Sequence, residues 1–429
     1  MDRREFIRTS SLLAGLLCST EWADAFAAGT KDRLAGRKWS GWKKGHFQVH
    51  FIYTGVGECM FMIFPDGTSM LLDCGDHDAI GRGPLAVPVL PDSSRHSGEW
   101  IARYVQKVNP CGNHVDYMML SHYHSDHAGC SAFSAGSEVR DGEEYHFSGF
   151  SQAAEYLHFD KAIDRAWPDY DDPRPLPEQS DGVVGHMKGF YRYQSEHNGM
   201  KVEKFRLGSS DQVVLLKDPD SFKSFSVRNI CGNGRLCSED GRIIDLYSDR
   251  LRKHPDAWLN ENGMSLGYIF TYGNFKFFTA GDFSDEWKED DGTLFKTEDA
   301  LASVCPEVNV AKINHHGYRS MTPALLSALR ARVYVSCVWD QLHNLPEVMS
   351  MVSDRSIYPG DRLICPGIMP EERRNADAGS PWLDDVAPES FEGGHVVLDV
   401  GRGGKRYSIS YLTAMDESMT VRSVMHFKA

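Results

Sequence analysis

Three histidines and one aspartate fall within six residues of this chain, directly after a short and largely apolar segment. That segment, residues 115–120 (VDYMML), is typical of a buried strand, and His122, His124, Asp126 and His127 follow it. The whole chain of 429 residues holds 18 histidines, so three of them within six positions is a marked concentration. A solvated turn does not require it. Alternation along an extended chain points His122 and His124 to the same side, where one cation can bind both.

A helix predicted to begin near Ser125 places Asp126 and His127 in its first turn, where they reach a second cation beside the first. This mixture of borderline and hard ligands suits zinc, manganese or iron better than calcium or copper. The sequence therefore predicts a site for two divalent transition-metal ions, with zinc as the first expectation.

Three further predicted strands also end in residues that can bind metal. Asp73 and Asp282 each follow a short apolar run, and a His315-His316 pair follows another. Taken singly, an aspartate beside a glycine after a strand is usually only a turn. Together with the histidine motif, these strand ends predict one shared site.

Short apolar runs and helical patterns occur along the chain, which predicts an α/β fold. The predicted strands are residues 47–53, 60–64, 69–72, 115–120, 265–271, 275–279, 308–313 and 333–338, and the predicted helices are 97–108 and 322–331. Residues 131–225 are interpreted as an insertion after the histidine motif, because they contain many aromatic residues but no long periodic pattern.

The N-terminus resembles an export signal. Arg3 and Arg4 precede a weakly apolar run, and Ala25-Phe26-Ala27 supplies small residues where a signal peptidase cleaves. Residues 1–27 are therefore predicted to be a twin-arginine signal peptide, with an ordinary N-terminal helix as the alternative. The mature chain, 28–429, is expected in the periplasm or outside the cell. It contains no run of 18 apolar residues, and so no transmembrane segment is expected.

Charge and cysteine content bear on partners and on redox chemistry. The net charge is -14 and no basic stripe occurs, so long nucleic acid is not expected as a substrate. Cys231 and Cys237 flank a Gly-Asn-Gly turn and are candidates for a disulfide in an oxidising compartment. Cys59, Cys74, Cys130, Cys305 and Cys337 lie in apolar or motif segments and are expected to be buried thiols.

The order of these motifs resembles the metallo-β-lactamase superfamily, and most closely its branch of ComEC-type hydrolase domains and secreted phosphorylcholine esterases. The resemblance covers about residues 46–370, apart from the insertion. It is carried by Gly55-Val56-Gly57-Glu58, Leu71-Leu72-Asp73-Cys74-Gly75, Leu120 to Gly129, Asn262-Gly263-Met264-Ser265-Leu266, Thr279-Ala280-Gly281-Asp282 and Lys312 to Gly317.

This resemblance implies an αββα sandwich with the site at one edge, together with a role for each motif residue. His122 and His124 would bind the first metal, and Asp126 and His127 the second. Asp282 would bridge both metals, which makes Asp126 and Asp282 the expected catalytic carboxylates.

Further roles follow from the same resemblance. One of His315 and His316 would complete the second metal site, and the sequence does not choose between them. Asp73 would hold the motif loop or an imidazole N–H. Asn262 and His343 are expected to contact the substrate.

One departure from the family pattern concerns the first metal. Many members carry another metal-binding histidine before the bridging aspartate, whereas residues 225–230 (FSVRNI) contain none. The ComEC-like branch commonly lacks this ligand as well. The remaining histidines of this region are expected at the surface: His146, His158, His186, His197 and His254.

The leading functional expectation is a secreted phosphodiesterase that acts on a small or surface-linked phosphoester through a metal-bridging hydroxide. A metal-dependent hydrolase of a carboxylic ester, lactone or lactam is the first alternative, and a non-catalytic binding protein on the same fold is the second. The aromatic insertion would serve as a lid over an apolar or cationic head group, or simply as an additional packed subdomain.

Overall fold

The computed structural model describes residues 34–53, 55, 57–76, 87, 90–129, 145–176, 182–339 and 343–429. They form a mixed α/β structure with two large mixed sheets and several helices. The predicted signal peptide, 1–27, lies outside the described residues, as does Cys130. None of the helices in the described part has the length and apolar character that crossing a membrane requires.

In chain order, the strands of the described residues are β1 (Phe47–Phe51), β2 (Met60–Ile63), β3 (Ser69–Leu72), β4 (His114–Met119), β5 (His158–Asp164), β6 (Lys201–Lys204), β7 (Phe225–Gly232), β8 (Arg235–Cys237), β9 (Ile243–Asp245), β10 (Gly267–Tyr272), β11 (Phe275–Thr279), β12 (Glu286–Lys288), β13 (Leu294–Lys296), β14 (Val310–Lys312), β15 (Val333–Ser336), β16 (Leu363–Pro366), β17 (His395–Val400), β18 (Arg406–Leu412) and β19 (Val421–Lys428). The α-helices are α1 (Ser97–Val108), α2 (Ser125–Ala128), α3 (Phe150–Ala153), α4 (Val183–Asn198), α5 (Ser248–Lys253), α6 (Thr297–Ala302), α7 (Pro323–Leu329), α8 (Pro346–Ser353) and α9 (Glu371–Ala376).

The first large sheet has the strand order β19-β18-β17-β1-β2-β3-β4-β5-β6, and the second has the order β16-β15-β14-β11-β10-β7-β8-β9. Strands β3 to β6 run parallel to one another, as do β11, β14, β15 and β16. Parallel strands bring their carboxyl ends to the same edge of a sheet. The residues after β3, β4, β11 and β14 can therefore meet.

Aromatic side chains from the two sheets pack against each other. The rings of Phe47 and Phe270 stack with their centroids 5.8 Å apart, and Phe51 meets Phe277 at 6.0 Å. A second buried cluster joins the first sheet to α1, α3 and α4, and a third joins the second sheet to α6, α7 and α8. Each sheet thus contacts the other sheet through one face and helices through the opposite face.

Several predicted elements are confirmed closely, and one interpretation needs correction. The strands at 69–72 and 275–279 and the helix at 97–108 have the predicted bounds. Residues 131–225, interpreted as an insertion without long periodic structure, instead contain β5, the 16-residue helix α4 and β6. Both strands extend the first sheet by parallel pairing with β4 and β5.

Two smaller expectations also differ from the structure. Cys231 and Cys237 are free thiols rather than a disulfide. Leu236 pairs with Cys231 across the β7–β8 hairpin, so the next residue, Cys237, points to the opposite face of the sheet. His186, expected at the surface, is buried because it lies on the apolar side of α4.

Candidate metal centre

Five of the predicted site residues meet where the strand ends converge, and all five are buried: His122, Asp126, His127, Asp282 and His316. The closest contacts join Nε2 of His127 to Oδ2 of Asp282 at 3.2 Å, and Nε2 of His316 to Oδ2 of Asp126 at 3.2 Å. The two Nε2 atoms lie 3.2 Å from each other. Nitrogen and oxygen ligand atoms from three separate chain segments therefore face one small volume.

Backbone contacts hold the histidine motif beside the end of β3. The N–H of Cys74 donates to the carbonyl of His127, and the N–H of Glu58 donates to the carbonyl of Asp126. A Cβ atom added to Gly75 would lie 1.7 Å from the carbonyl oxygen of Asp126, so only glycine permits this approach. The Gly75 in the Leu-Leu-Asp-Cys-Gly motif thus serves the close packing of two loops.

Asp73 lies behind the cluster and touches both the motif loop and an imidazole, the two contacts expected of it. Its Oδ1 accepts the N–H of Ser121 at 2.7 Å, and its Oδ2 lies 2.8 Å from Nδ1 of His127. A proton on Nδ1 of His127 leaves the Nε2 lone pair directed at the cluster. This carboxylate–histidine arrangement is the one that proteins use to orient metal ligands.

The structure places His315 and His316 differently. Both residues have left-handed backbone conformations, with φ of 46° and 47°, which are strained for non-glycine residues. Nε2 of His316 points into the cluster, 3.4 Å from Oδ2 of Asp282. His315 lies at the rim, where the amide of Asn262 donates to its Nε2 at 3.0 Å and Ser284 contacts its Nδ1 at 2.9 Å.

Glu58 and Lys312 belong to the centre, although the sequence did not assign them a role there. Glu58, His127, Asp282 and His316 form a buried cluster that could hold a metal ion, with one ligand atom from each lying within 4.8 Å of the others. Oε2 of Glu58 lies 3.3 Å from Nδ1 of His316 and 2.7 Å from Nζ of Lys312. Unlike Asp73 beside His127, Glu58 makes no hydrogen bond to His316, since neither its carboxylate oxygens nor Nδ1 of His316 has a hydrogen-bond partner among the described residues.

The buried charges favour a cation. Four buried carboxylates, those of Glu58, Asp73, Asp126 and Asp282, lie against the imidazoles and the ammonium of Lys312. Oδ1 of Asp282 and both carboxylate oxygens of Glu58 accept no hydrogen bond among the described residues, although Lys312 lies 3.5 Å and 2.7 Å from these two carboxylates. Buried carboxylate oxygens without a hydrogen bond are costly, and a bound cation would reduce that cost.

The pKa values show how the protein balances this charge. Burial acts to raise the pKa of Asp126 and Asp282, but the neighbouring imidazoles outweigh it and hold both pKa values well below the usual range. Burial acts to lower the pKa of His127, but the surrounding carboxylates raise it well above the usual range. The imidazolium of His127 thus supplies positive charge that a metal ion would replace.

His122 lies beside His127, with ring centroids 4.2 Å apart, and His124 lies next to His122. Nε2 of His122 is 3.0 Å from Nδ1 of His124 and 3.9 Å from Oδ2 of Asp282. Burial, together with the nearby His127 and His124, lowers the pKa of His122 well below the usual range. His122 is therefore neutral at physiological pH, which is the form that binds metal. His124 is only partly buried.

The two predicted substrate contacts lie at the rim of the cluster. Asn262 contacts His315 as described, and the ring of His343 approaches that of His316 with centroids 5.0 Å apart. Glu261, to which the sequence assigned no role, accepts the backbone N–H of Tyr123 at 3.0 Å and pairs with the buried Arg165 at 2.6 Å. The segment 261–262 thus links the histidine motif to His315.

Comparison with the models of known protein families gave no match, and comparison with characterised proteins gave none either. A functional assignment for this chain therefore depends on the residues of the site and their geometry.

Proposed function

We propose that the protein is a metal-dependent hydrolase with the αββα architecture of the metallo-β-lactamase superfamily, acting on a small or surface-linked phosphodiester. One observation carries the proposal. His127 and His316 each present Nε2 to Asp126 and Asp282, while a carboxylate lies against the Nδ1 of each ring. Buried imidazoles that share a pocket with carboxylates, one of them oriented by a hydrogen bond to Asp73, match the ligand types of a hydrolytic metal centre.

The layers of the fold support the same assignment. Two sheets pack face to face, and helices cover the outer face of each sheet. The candidate ligands follow the carboxyl ends of β4, β11 and β14, at one edge of this arrangement. That placement is the one expected for an αββα hydrolase.

The residues of the centre have two proposed tasks: some bind the metal ions, and others contact the imidazoles that bind them. We infer that His122, His124, Asp126, His127, Asp282 and His316 hold two divalent ions, most simply zinc, with manganese or iron as alternatives. Such ions, when bound, activate water as a nucleophile and neutralise phosphoryl oxygens. Asp73 fixes the orientation of the His127 imidazole, and Glu58 places negative charge 3.3 Å from Nδ1 of His316. Burial of the cluster keeps bulk water away from the ligand bonds.

The substrate is expected to enter between His124 and His315, the least buried members of the site. Burial lowers the pKa of His315 to about 4, so this imidazole is neutral near pH 7, with its two ring nitrogens already in contact with Asn262 and Ser284. The acidic chain favours a compact substrate over long nucleic acid.

The test compares three substrate classes with the mature enzyme: bis(p-nitrophenyl) phosphate, a chromogenic lactam and a p-nitrophenyl ester. Hydrolysis of the phosphodiester should exceed that of the other two, should be abolished by a chelator and should be restored by added metal. Preferred cleavage of the lactam or ester would replace the phosphodiesterase assignment with carbonyl chemistry. Chelator-insensitive turnover, or none at all, would overturn the metal-dependent hydrolase.

We also propose export of the protein by the twin-arginine route, on the basis of the sequence of residues 1–27. Replacing Arg3 and Arg4 by lysine keeps the charge but removes the planar guanidinium groups. Uncleaved precursor should then accumulate in the cytoplasm. Normal maturation of this variant would point to the general secretory route instead.

A further inference from the structure

We propose that His114, His158 and Asp160 form a separate surface site for a divalent transition-metal ion such as Zn²⁺. The proposal does not depend on the hydrolase function. These residues lie at the start of β4 and β5, whereas the candidate metal centre follows the carboxyl end of β4. His122 lies eight positions after His114, which corresponds to roughly 26 Å of extended chain.

The strand register brings the two imidazoles together. His114 and His158 occupy paired positions on the parallel strands β4 and β5. Their rings are nearly parallel, at 29°, with centroids 5.4 Å apart. Asp160 lies two residues beyond His158 on the same strand, and so its side chain emerges on the same face.

The ligand atoms of the three side chains converge. Nε2 of His114 lies 2.8 Å from Oδ2 of Asp160, and Nε2 of His158 lies 3.5 Å from Oδ1 of the same carboxylate. One ligand atom from each residue lies within 4.8 Å of the others. Bond lengths of about 2.0–2.1 Å around tetrahedral zinc place neighbouring ligand atoms roughly 3.3 Å apart. The observed separations fall close to this value, so small side-chain movements suffice for binding.

The composition and exposure of the site define the ligand class. Two imidazoles and one carboxylate form a borderline ligand set, which favours Zn²⁺, Ni²⁺ or Cu²⁺ over Ca²⁺ and Mg²⁺. The three side chains are between 41% and 46% exposed, which leaves at least one coordination position open to water or to an outside donor. Zn²⁺ should bind here more weakly than at the buried centre, because exposed side chains lose more conformational freedom when they bind the metal.

Metal titration of the mature protein tests the proposal. Calorimetry with Zn²⁺ on chelator-stripped protein should show the ions of the buried centre and one additional, weaker binding event. The double variant His114→Ala with His158→Ala should lose only the weaker event. It should keep phosphodiester turnover and the metal of the buried centre. His426→Ala, which removes an exposed histidine on β19, serves as the matched control and should leave every binding event unchanged.

The alternative is that Asp160 simply accepts hydrogen bonds from the two imidazoles. In that case the titrations of the wild type and the double variant would be the same, and the proposal would be overturned. Asp160→Asn provides a second test, because it keeps the size of the side chain while removing its charge. If the site is real, this variant should bind Zn²⁺ at least tenfold more weakly at the surface site; unchanged affinity would contradict the assignment.

Discussion

Glu58 and Lys312 form an ion pair of 2.7 Å that is fully buried at the candidate metal centre. Lys312 also lies 3.5 Å from Oδ1 of Asp282 and donates to the carbonyl of Gly281 at 2.6 Å. Burial acts to lower the pKa of Lys312, but the carboxylates of Glu58 and Asp282 outweigh it and raise that pKa. The ammonium therefore stays charged and anchors a carboxylate on each side of the centre.

Lys312→Met should destabilise the protein by about 3–5 kcal/mol, because it leaves Glu58 buried without its partner. The double variant Glu58→Gln with Lys312→Met should cost less, since it removes both charges. Urea unfolding of metal-free protein measures both values. Lys253→Met breaks an exposed pair with Asp290 and should change the unfolding free energy by about 0–1 kcal/mol. A similarly small cost for Lys312→Met would show that the buried pair is not required.

His316→Ala and His315→Ala should have different effects on metal content. His316 points Nε2 at the carboxylates of the centre, so its removal should release bound metal and abolish turnover. His315 is held by Asn262 and Ser284 at the rim, so its removal should leave the metal in place and mainly raise KM or lower kcat. Elemental analysis beside steady-state kinetics separates the two outcomes. Metal loss from His315→Ala with retention in His316→Ala would reverse the assignment.

Asp282→Asn and Asp73→Asn should differ in severity. Asp282 contacts His122, His127 and His316, so loss of its charge should remove bound metal and activity together. Asp73 acts through His127, and its replacement should reduce metal affinity or activity roughly 10–100-fold.

The control for this comparison is Asp211→Asn at the exposed surface, which should match the wild type in both metal content and turnover. Melting temperatures of the metal-free variants check that the fold survives. Two bound metals and near-normal turnover in Asp282→Asn would show that Asp282 is not the bridging carboxylate.

Local patterns were sufficient to predict the parts of the site that lie at strand ends. A short apolar run followed by a polar residue marks the carboxyl end of a buried strand, which is how Asp73, the histidine motif and Asp282 could be assigned. No role at the site was predicted for Glu58, because Gly57-Glu58 resembles an ordinary loop before β2. Its role depends on Lys312 and His316, which lie more than 250 residues further along the chain and meet it only through the packing of the two sheets.

The choice between His315 and His316 lay beyond the sequence for a different reason. Side-chain direction follows from residue number only in regular helices and strands. Both histidines lie in a left-handed turn, where neither periodicity applies. The strand β6 was not predicted either, because its residues Lys201–Lys204 lack the apolar alternation of a core strand.

Three buried histidines outside the metal centre should make the folded protein sensitive to acid: His50, His186 and His395. Burial lowers the pKa of each to about 3. The unfolded chain, with a histidine pKa of about 6.5, binds more protons than the folded chain between these two values. Each residue therefore contributes full stability above about pH 6.5, and that contribution falls by about 1.4 kcal/mol per pH unit as the pH drops toward 3.

His50→Gln tests this linkage because glutamine can keep a hydrogen bond to Tyr104, which lies 3.0 Å from Nδ1 of His50. Urea unfolding of metal-free protein between pH 6 and pH 4 should show a pH slope that is lower than that of the wild type by about 1.4 kcal/mol per unit. The variant can be less stable at pH 7 without affecting the test, because the slope is what reports the proton uptake. The exposed His426→Gln should leave the slope unchanged. An unchanged slope in His50→Gln would mean that this imidazole is already protonated in the folded protein, contrary to its burial.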